Sequence, residues 1–195
     1  MLTTIMSWDA TTALGVNISG ADITKSQSAS WTNCIARTSD TLTFTSTETS
    51  IEMSFNSTDH SHVKLGIGRD PFNDGASKTW HDINYGFGDD MVIINGVNTT
   101  PDTSFSTTNT STVKLVLNSS TNNITFYHNG TQIHQTTYPT GQTWYGIFAA
   151  YSTGQGASLD SINSVTSTPS TSGDFNNAHA HLKPLQVFRR QRDWF

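Results

Sequence analysis

The sequence predicts an all-β domain, two antiparallel sheets packed face to face, with a carboxyl-terminal extension. Three observations lead there. Short runs in which apolar and polar residues alternate recur from about residue 13 to residue 165, the period of strands with one buried face. Clusters of Asn, Asp, Gly and Ser separate these runs, as hairpin turns require. Strong helix formers are scarce: Glu occurs only at Glu48 and Glu52, while Ser and Thr together exceed a quarter of the 195 residues.

Taken in order, the expected strands begin with Trp31 to Arg37 and Leu42 to Ser46. Ile51, Met53 and Phe55 then alternate with Glu52 and Ser54, and Val63, Leu65 and Ile67 with Lys64 and Gly66. Trp80 to Phe87 and Met91 to Asn95 follow, and Val113, Leu115 and Leu117 alternate with Lys114 and Val116. The last four are Asn123 to His128, Thr131 to Thr136, Thr143 to Tyr151 and Ala157 to Val165. Each alternating run has one apolar face, so each needs a second layer to cover it. The clearest hairpin turns at Asn129-Gly130, the residue pair that a type I′ turn favours. No stretch of ten residues before residue 180 keeps a 3.6-residue apolar period, so helices should be few and short.

After Val165 the composition changes. Residues 1–165 read as the sandwich, 166–181 as a flexible polar linker, and 182–195 as a basic, aromatic tail. That tail carries Leu185, Val187, Phe188, Arg189, Arg190, Trp194 and Phe195. Apolar side chains this large have no use in a solvated segment. The tail either folds back on its own sandwich or docks on a partner or a neighbouring subunit.

A net charge of −5 offers no drive toward nucleic acid. No apolar stretch is long enough for a membrane span, and the first residues lack the pattern of a signal peptide. The expected setting is therefore cytoplasmic or a virion. The single cysteine, Cys34, has no partner for an intramolecular disulfide and is expected to be a buried small hydrophobe.

Several segments between Trp31 and Ile162 resemble the SPRY/B30.2 domain, within the wider concanavalin A-like group of lectin and glucanase sandwiches. They are Gly66-Ile-Gly-Arg69, Asn84-Tyr-Gly-Phe87, the pair Val113 to Leu117 and Asn123 to Gly130, and Trp144-Tyr-Gly-Ile-Phe-Ala-Ala-Tyr151. The resemblance implies a concanavalin-like jelly roll. It leaves open peptide binding, sugar binding and catalysis, because the architecture serves all three.

The strongest enzymatic candidates are Glu48 and Glu52, spaced as the catalytic pair is in one branch of concanavalin-like glycosidases. On a regular strand they share a face, yet their Cα atoms stand about 13 Å apart, beyond the separation of about 5 to 9.5 Å that glycoside hydrolysis uses. His60 and His62 beside Asp59, and His179 and His181, have a metal-like spacing but sit among polar loop residues. Asp70, Asn73 and Asp74 suggest a calcium loop, but Phe72 and His81 stand where oxygen ligands belong. No nucleophile elbow, phosphate loop or cofactor motif occurs, so no metal or cofactor is expected. Asp70, Asn73, Asp74, Trp80, Tyr138 and Trp144 are the candidate ligand-binding residues, combining rings with oxygen-bearing side chains.

The expected function is a non-catalytic interaction or assembly module, such as a virion surface or minor capsid component anchored by the tail. A carbohydrate-binding lectin is the first alternative and a glycoside hydrolase the second.

Overall fold

The computed structural model describes residues 7–42, 48–70, 72 and 78–165, the last two of these by backbone alone. The described residues form thirteen strands: β1 (Val16–Ser19), β2 (Asp22–Lys25), β3 (Ile35–Arg37), β4 (Glu48–Phe55), β5 (Val63–Gly68), β6 (Tyr85–Gly88), β7 (Met91–Ile94), β8 (Val97–Thr99), β9 (Thr112–Asn118), β10 (Asn123–His128), β11 (Thr131–Thr137), β12 (Tyr145–Ala150) and β13 (Gly156–Val165). A single 3-10 turn, Trp80–Asp82, is the only helical element among them, so none is long and apolar enough to cross a membrane.

Seven strands make one sheet in the order β1-β2-β13-β4-β9-β10-β11, and six make the other in the order β3-β12-β5-β6-β7-β8. Every strand pairing is antiparallel. The two-sheet antiparallel sandwich read from the alternation is the fold of this chain.

The alternating runs put their apolar members where expected. Ile51, Met53, Val113, Leu115, Leu117, Ile124 and Phe126 from the larger sheet meet Val63, Leu65, Ile67, Phe87 and Phe148 from the smaller one, all essentially inaccessible to water. Phe87 and Phe126 join the sheets edge to face, with ring centroids 5.5 Å apart. Each such buried side chain contributes about 1.5–3 kcal/mol, so the alternation itself is what holds the layers together.

Three hairpins turn on two left-handed residues. Asn129-Gly130 (φ 47° and 77°) closes β10 onto β11, as the sequence predicts. Asn95-Gly96 (φ 53° and 77°) does the same between β7 and β8. Asp89-Asp90 (φ 54° and 57°) joins β6 to β7 without a glycine.

The structure also corrects the reading. The segment expected as one strand from Trp80 to Phe87 is a 3-10 turn followed by a strand that begins only at Tyr85. Thr79 supplies the reason: its hydroxyl accepts from the His81 N–H, and the Asp82 carboxylate accepts from the Thr79 N–H, a capping box that commits the backbone to a helical turn. Of Trp31 to Arg37 only the last three residues are strand, because Asn33 adopts a left-handed φ of 53°. Leu42 makes a bridge to Trp144, while the remainder of that expected strand, residues 43–46, lies outside the described residues. The β1–β2 hairpin and β8 carry too few residues for alternation to register. The linker and tail, residues 166–195, lie outside the described residues as well.

Candidate functional site

The two outward faces of the sandwich differ in how they are covered. On the six-stranded sheet, alternation turns Gly66 and Gly68 of β5 and Gly86 and Gly88 of β6 outward. These glycines form a floor without side chains. A Cβ on Gly66 would lie 2.7 Å from the Ile83 Cγ2, one on Gly68 2.2 Å from the Asp82 carbonyl oxygen, and one on Gly88 2.1 Å from the Lys64 Cδ. The 3-10 turn therefore lies flat on the sheet, and Ile83 packs with Ile35, Ile93, Ile147 and Ala149 into a second, smaller apolar cluster against which Trp80 rests.

Beside that turn the side chain of Lys64 crosses the sheet, only 1% exposed. A buried ammonium needs partners. It forms an ion pair with Asp89, and its Nζ lies 4.8 Å from the ring centroid of Trp80 and 5.8 Å from that of Trp31. Trp31 in turn touches Trp80 (6.2 Å), Tyr151 (5.5 Å) and His62 (6.3 Å), and Trp80 stacks on His81 at 3.9 Å. Trp31, Trp80 and Tyr151 are half-buried, while His62 and His81 are exposed. A cleft of about 340 Å³ opens alongside, lined by His60, His62, Asp89, Asp90 and Thr107.

At the other end of this face Arg37 binds Asp70 at 2.9 Å and Asp9 at 3.3 Å, with its guanidinium 4.4 Å above the Tyr145 ring. The Asp9 carboxyl is lowered to about 2, chiefly by the Thr11 hydroxyl that donates to it, with the Arg37 charge adding to the effect. Asp70 thus serves an ion pair, and it also accepts from the Phe72 N–H at 3.0 Å.

The candidate ligand residues do not converge. Trp80 stands in the ring cluster and Asp70 at the far ion pair. Trp144, 1% exposed, lies edge to face with Tyr85 in the main core, and Tyr138 is buried there too. Neither presents a ring to solvent. Asn73 and Asp74, like the tail residues Leu185, Val187, Phe188, Arg189, Arg190, Trp194 and Phe195, lie outside the described residues. Trp31, His62 and Tyr151 are members of the cluster that sequence reasoning missed; four separate segments bring them together, and no local spacing announces it.

The seven-stranded sheet is open where the other is covered. Its outer face holds a cleft of about 530 Å³ across β4, β9, β10 and β11. Pairing aligns Glu48 with Asn118 and Asn123, Ser50 with Val116, Thr125 and Gln135, and Glu52 with Lys114 and Tyr127. Glu48 and Glu52 both line it, as alternation predicts, and their four-residue offset keeps the Cα atoms about 13 Å apart. At a bulge in β13, toward the Glu52 end of β4, Asp160 accepts from the Ser54 hydroxyl. Desolvation raises the Asp160 carboxyl, and the Glu52 and Asp22 charges push it the same way.

Among the described residues no group of three or more His, Cys, Asp or Glu side chains is placed to hold a metal ion. His62 shares a 3.0 Å hydrogen bond with the Ser61 hydroxyl, which donates to Asp59 at 2.8 Å. Cys34 is fully buried.

No protein-family model matches the sequence, and no curated protein matches it. Among solved structures, the SPRY domain of human HERC1 superposes with a TM-score of 0.60 at 16% identity, covering 80% of this chain and 98% of that one. The TRIM65 PSpry domain gives 0.57 at 15%, covering 80% and 92%. The two-sheet sandwich is SPRY-like in architecture, as the sequence motifs suggest.

Proposed function

We propose that this SPRY-like sandwich is a non-catalytic interaction module that meets a protein partner through the cluster of Trp31, His62, Trp80, His81 and Tyr151. The observation that carries the reading is the position of these rings. They gather on the outside of the six-stranded sheet, away from the Phe87–Phe126 contact that joins the layers, and leave edges open to solvent. Trp and Tyr supply large contact area at little entropic cost and dominate protein interfaces. The buried Lys64 beneath holds two of them in place by cation–π attraction. The SPRY-like neighbours, although they share only the architecture, support an interaction role.

The test is to isolate binding proteins with the full chain, purify the strongest, and titrate it against wild type and a Trp31→Ala/Trp80→Ala double variant. Loss of about 2 kcal/mol or more, roughly thirtyfold in Kd, is the expected result. Unchanged affinity in a well-folded double variant refutes the reading.

Its finer form makes the domain a displayed component of an assembly, such as a virion surface, tethered by residues 182–195. The apolar residues beyond a polar linker support this. Light scattering should then show assembly by the full chain and a monomer for a chain ending at Ser172; two monomers count against the tether.

A further inference from the structure

We infer that the cleft on the outer face of the seven-stranded sheet is the seat of the chain's own carboxyl-terminal segment, residues 182–195. The inference rests on the reading of that segment as a docking element and is independent of the ring cluster, which lies on the opposite sheet.

Three observations carry it. The first is where the chain leaves the sandwich. Val165, the last residue of β13, pairs with Glu48, and Glu48 lines the cleft. The polar linker therefore starts at the cleft's own margin. Four strand spacings, about 19 Å, separate β13 from β11 at the far wall. A polar linker as long as residues 166–181 spans about 20–24 Å root mean square. The segment thus arrives over the cleft at an effective concentration on the order of 1 mM, enough to fill a site with a Kd of about 0.1 mM.

The second observation is charge. Residues 182–195 hold Lys183, Arg189, Arg190 and Arg192 against one acid, Asp193, whereas up to residue 165 thirteen acids face six bases. On the closed face Arg37 and Lys64 already take Asp9, Asp70 and Asp89. On the open face, among the described residues, Asp22, Glu52 and Asp160 form no ion pair with a Lys or Arg. Lys114, aligned with Glu52, is the one cation lining the cleft there. Arginines entering beside Glu52 relieve the mutual repulsion of these carboxylates, and a nucleic acid or an acidic peptide would add to it.

The third is what the lining still lacks. The side chains of Glu52, Asn123, Thr125, Tyr127 and Gln135 hydrogen-bond no other side chain or backbone group among the described residues. Every one of them offers an oxygen acceptor, and a guanidinium carries five N–H donors and also stacks on a phenol ring. Arg37 shows that combination elsewhere in the molecule: Asp9 and Asp70 hold it, and its guanidinium lies 4.4 Å above the Tyr145 ring. In the cleft, Glu52 and Tyr127 flank Lys114 in register. In an extended segment Arg190 and Arg192 share one side about 7 Å apart, a spacing that lets one meet Glu52 and the other the Tyr127 ring. The volume of about 530 Å³ suits a few such side chains and leaves the remainder of the segment along the sheet. Because the occupant belongs to the chain, the same contact forms within one molecule when dilute and between neighbours when crowded.

The test titrates a fluorescently labelled synthetic peptide of residues 182–195 into the full chain carrying Arg189→Glu/Arg190→Glu/Arg192→Glu, whose own segment no longer competes. Binding is expected, about tenfold or more weaker after Glu52→Gln/Gln135→Ala is added and unaffected by Trp31→Ala/Trp80→Ala. Gln135 is exposed on the edge strand and Glu52→Gln keeps the side-chain shape, so this cleft variant folds. Raising salt from about 0.05 to 0.5 M should weaken binding, and the wild-type chain should bind the peptide about tenfold more weakly because its own segment occupies the cleft. The inference is overturned if no binding occurs at about 1 mM, if a peptide with Gln at the four basic positions binds equally well, or if the cleft variant or the wild-type chain binds as the triple variant does. Loss of binding in Trp31→Ala/Trp80→Ala also overturns it and moves the seat to the ring cluster. If the peptide fails to bind while the full chain assembles and the chain ending at Ser172 does not, the tether stands and this seat for it is refuted.

Discussion

The outer faces of the two sheets are built from the same alternation and end in opposite states. On the six-stranded sheet the outward positions of β5 and β6 are glycines except for Lys64, and the vacated space is filled by the chain itself: Ile83, the 3-10 turn and the stem of Lys64. On the seven-stranded sheet the outward positions of β4, β9 and β10 are, Val116 apart, polar side chains that prop the face open. Removing side chains from a sheet lets backbone close over it, whereas polar side chains on that surface hold a cleft. The closed face offers rings set by packing, and the open one offers hydrogen bonds still to be made.

The sharpest way to break this contrast is to add one methyl group to the closed face. In Gly86→Ala the new Cβ would lie 2.3 Å from the Leu65 carbonyl oxygen and 2.8 Å from the Gly66 Cα. Backbone cannot move aside as a flexible side chain would, so a loss of about 3 kcal/mol or more is expected in urea unfolding. Thr125→Ala on the open face should stay within about 0.5 kcal/mol. Equal losses from the two would end the distinction.

Lys64 tests what the closed face needs from a buried cation. Lys64→Ala should cost about 2–3 kcal/mol in the same measurement, through lost packing on Trp80 and the Gly88 floor. Lys64→Met, which keeps the volume and leaves Asp89 at the surface, should recover most of it. If Met is as harmful as Ala, the charge matters more than the stem.

The smallest expected effect is a pH dependence at the end of β10 in the larger sheet. His128 lies 5.0 Å from the Phe105 ring, with its Nε2 3.0 Å from the Ser111 hydroxyl. Burial lowers its imidazole below the ordinary 6.5, against a weaker opposing pull from Asp90. The unfolded chain thus takes up the proton more readily than the folded one. The stability contributed by neutral His128 is full above pH 6.5 and declines as pH falls below it toward the lowered folded value. Thermal midpoints measured from pH 7.5 down to 5.5 should fall, less steeply in His128→Gln. An identical slope in the variant would place the dependence elsewhere.

Much of this was legible in advance, and unevenly. The faces of β4, β5 and β9 follow from alternation in their own residues, and the Asn129-Gly130 turn from its two residue types. The 3-10 turn was also within reach, since Thr79 and Asp82 stand three apart as a capping box does, but Trp80 to Phe87 carries enough β-prone residues to mask it. Trp144 and Tyr138 lie at strand margins, where rings often reach a ligand; the bridge to Leu42 draws Trp144 inward instead.

By itself the sequence determined the two-layer antiparallel architecture, the inward residues of the long strands and the sharpest hairpin, because these depend on periodicity and turn chemistry within a few residues. Tertiary structure alone decided which strands are neighbours, and with that the sites. Gly66 meets Gly86, Trp31 meets Trp80, and Glu52 aligns with Lys114 only because sheet pairing brings together segments tens of residues apart. Strand order is set by the competition among all possible pairings, and that competition leaves no mark in the spacing of any one segment.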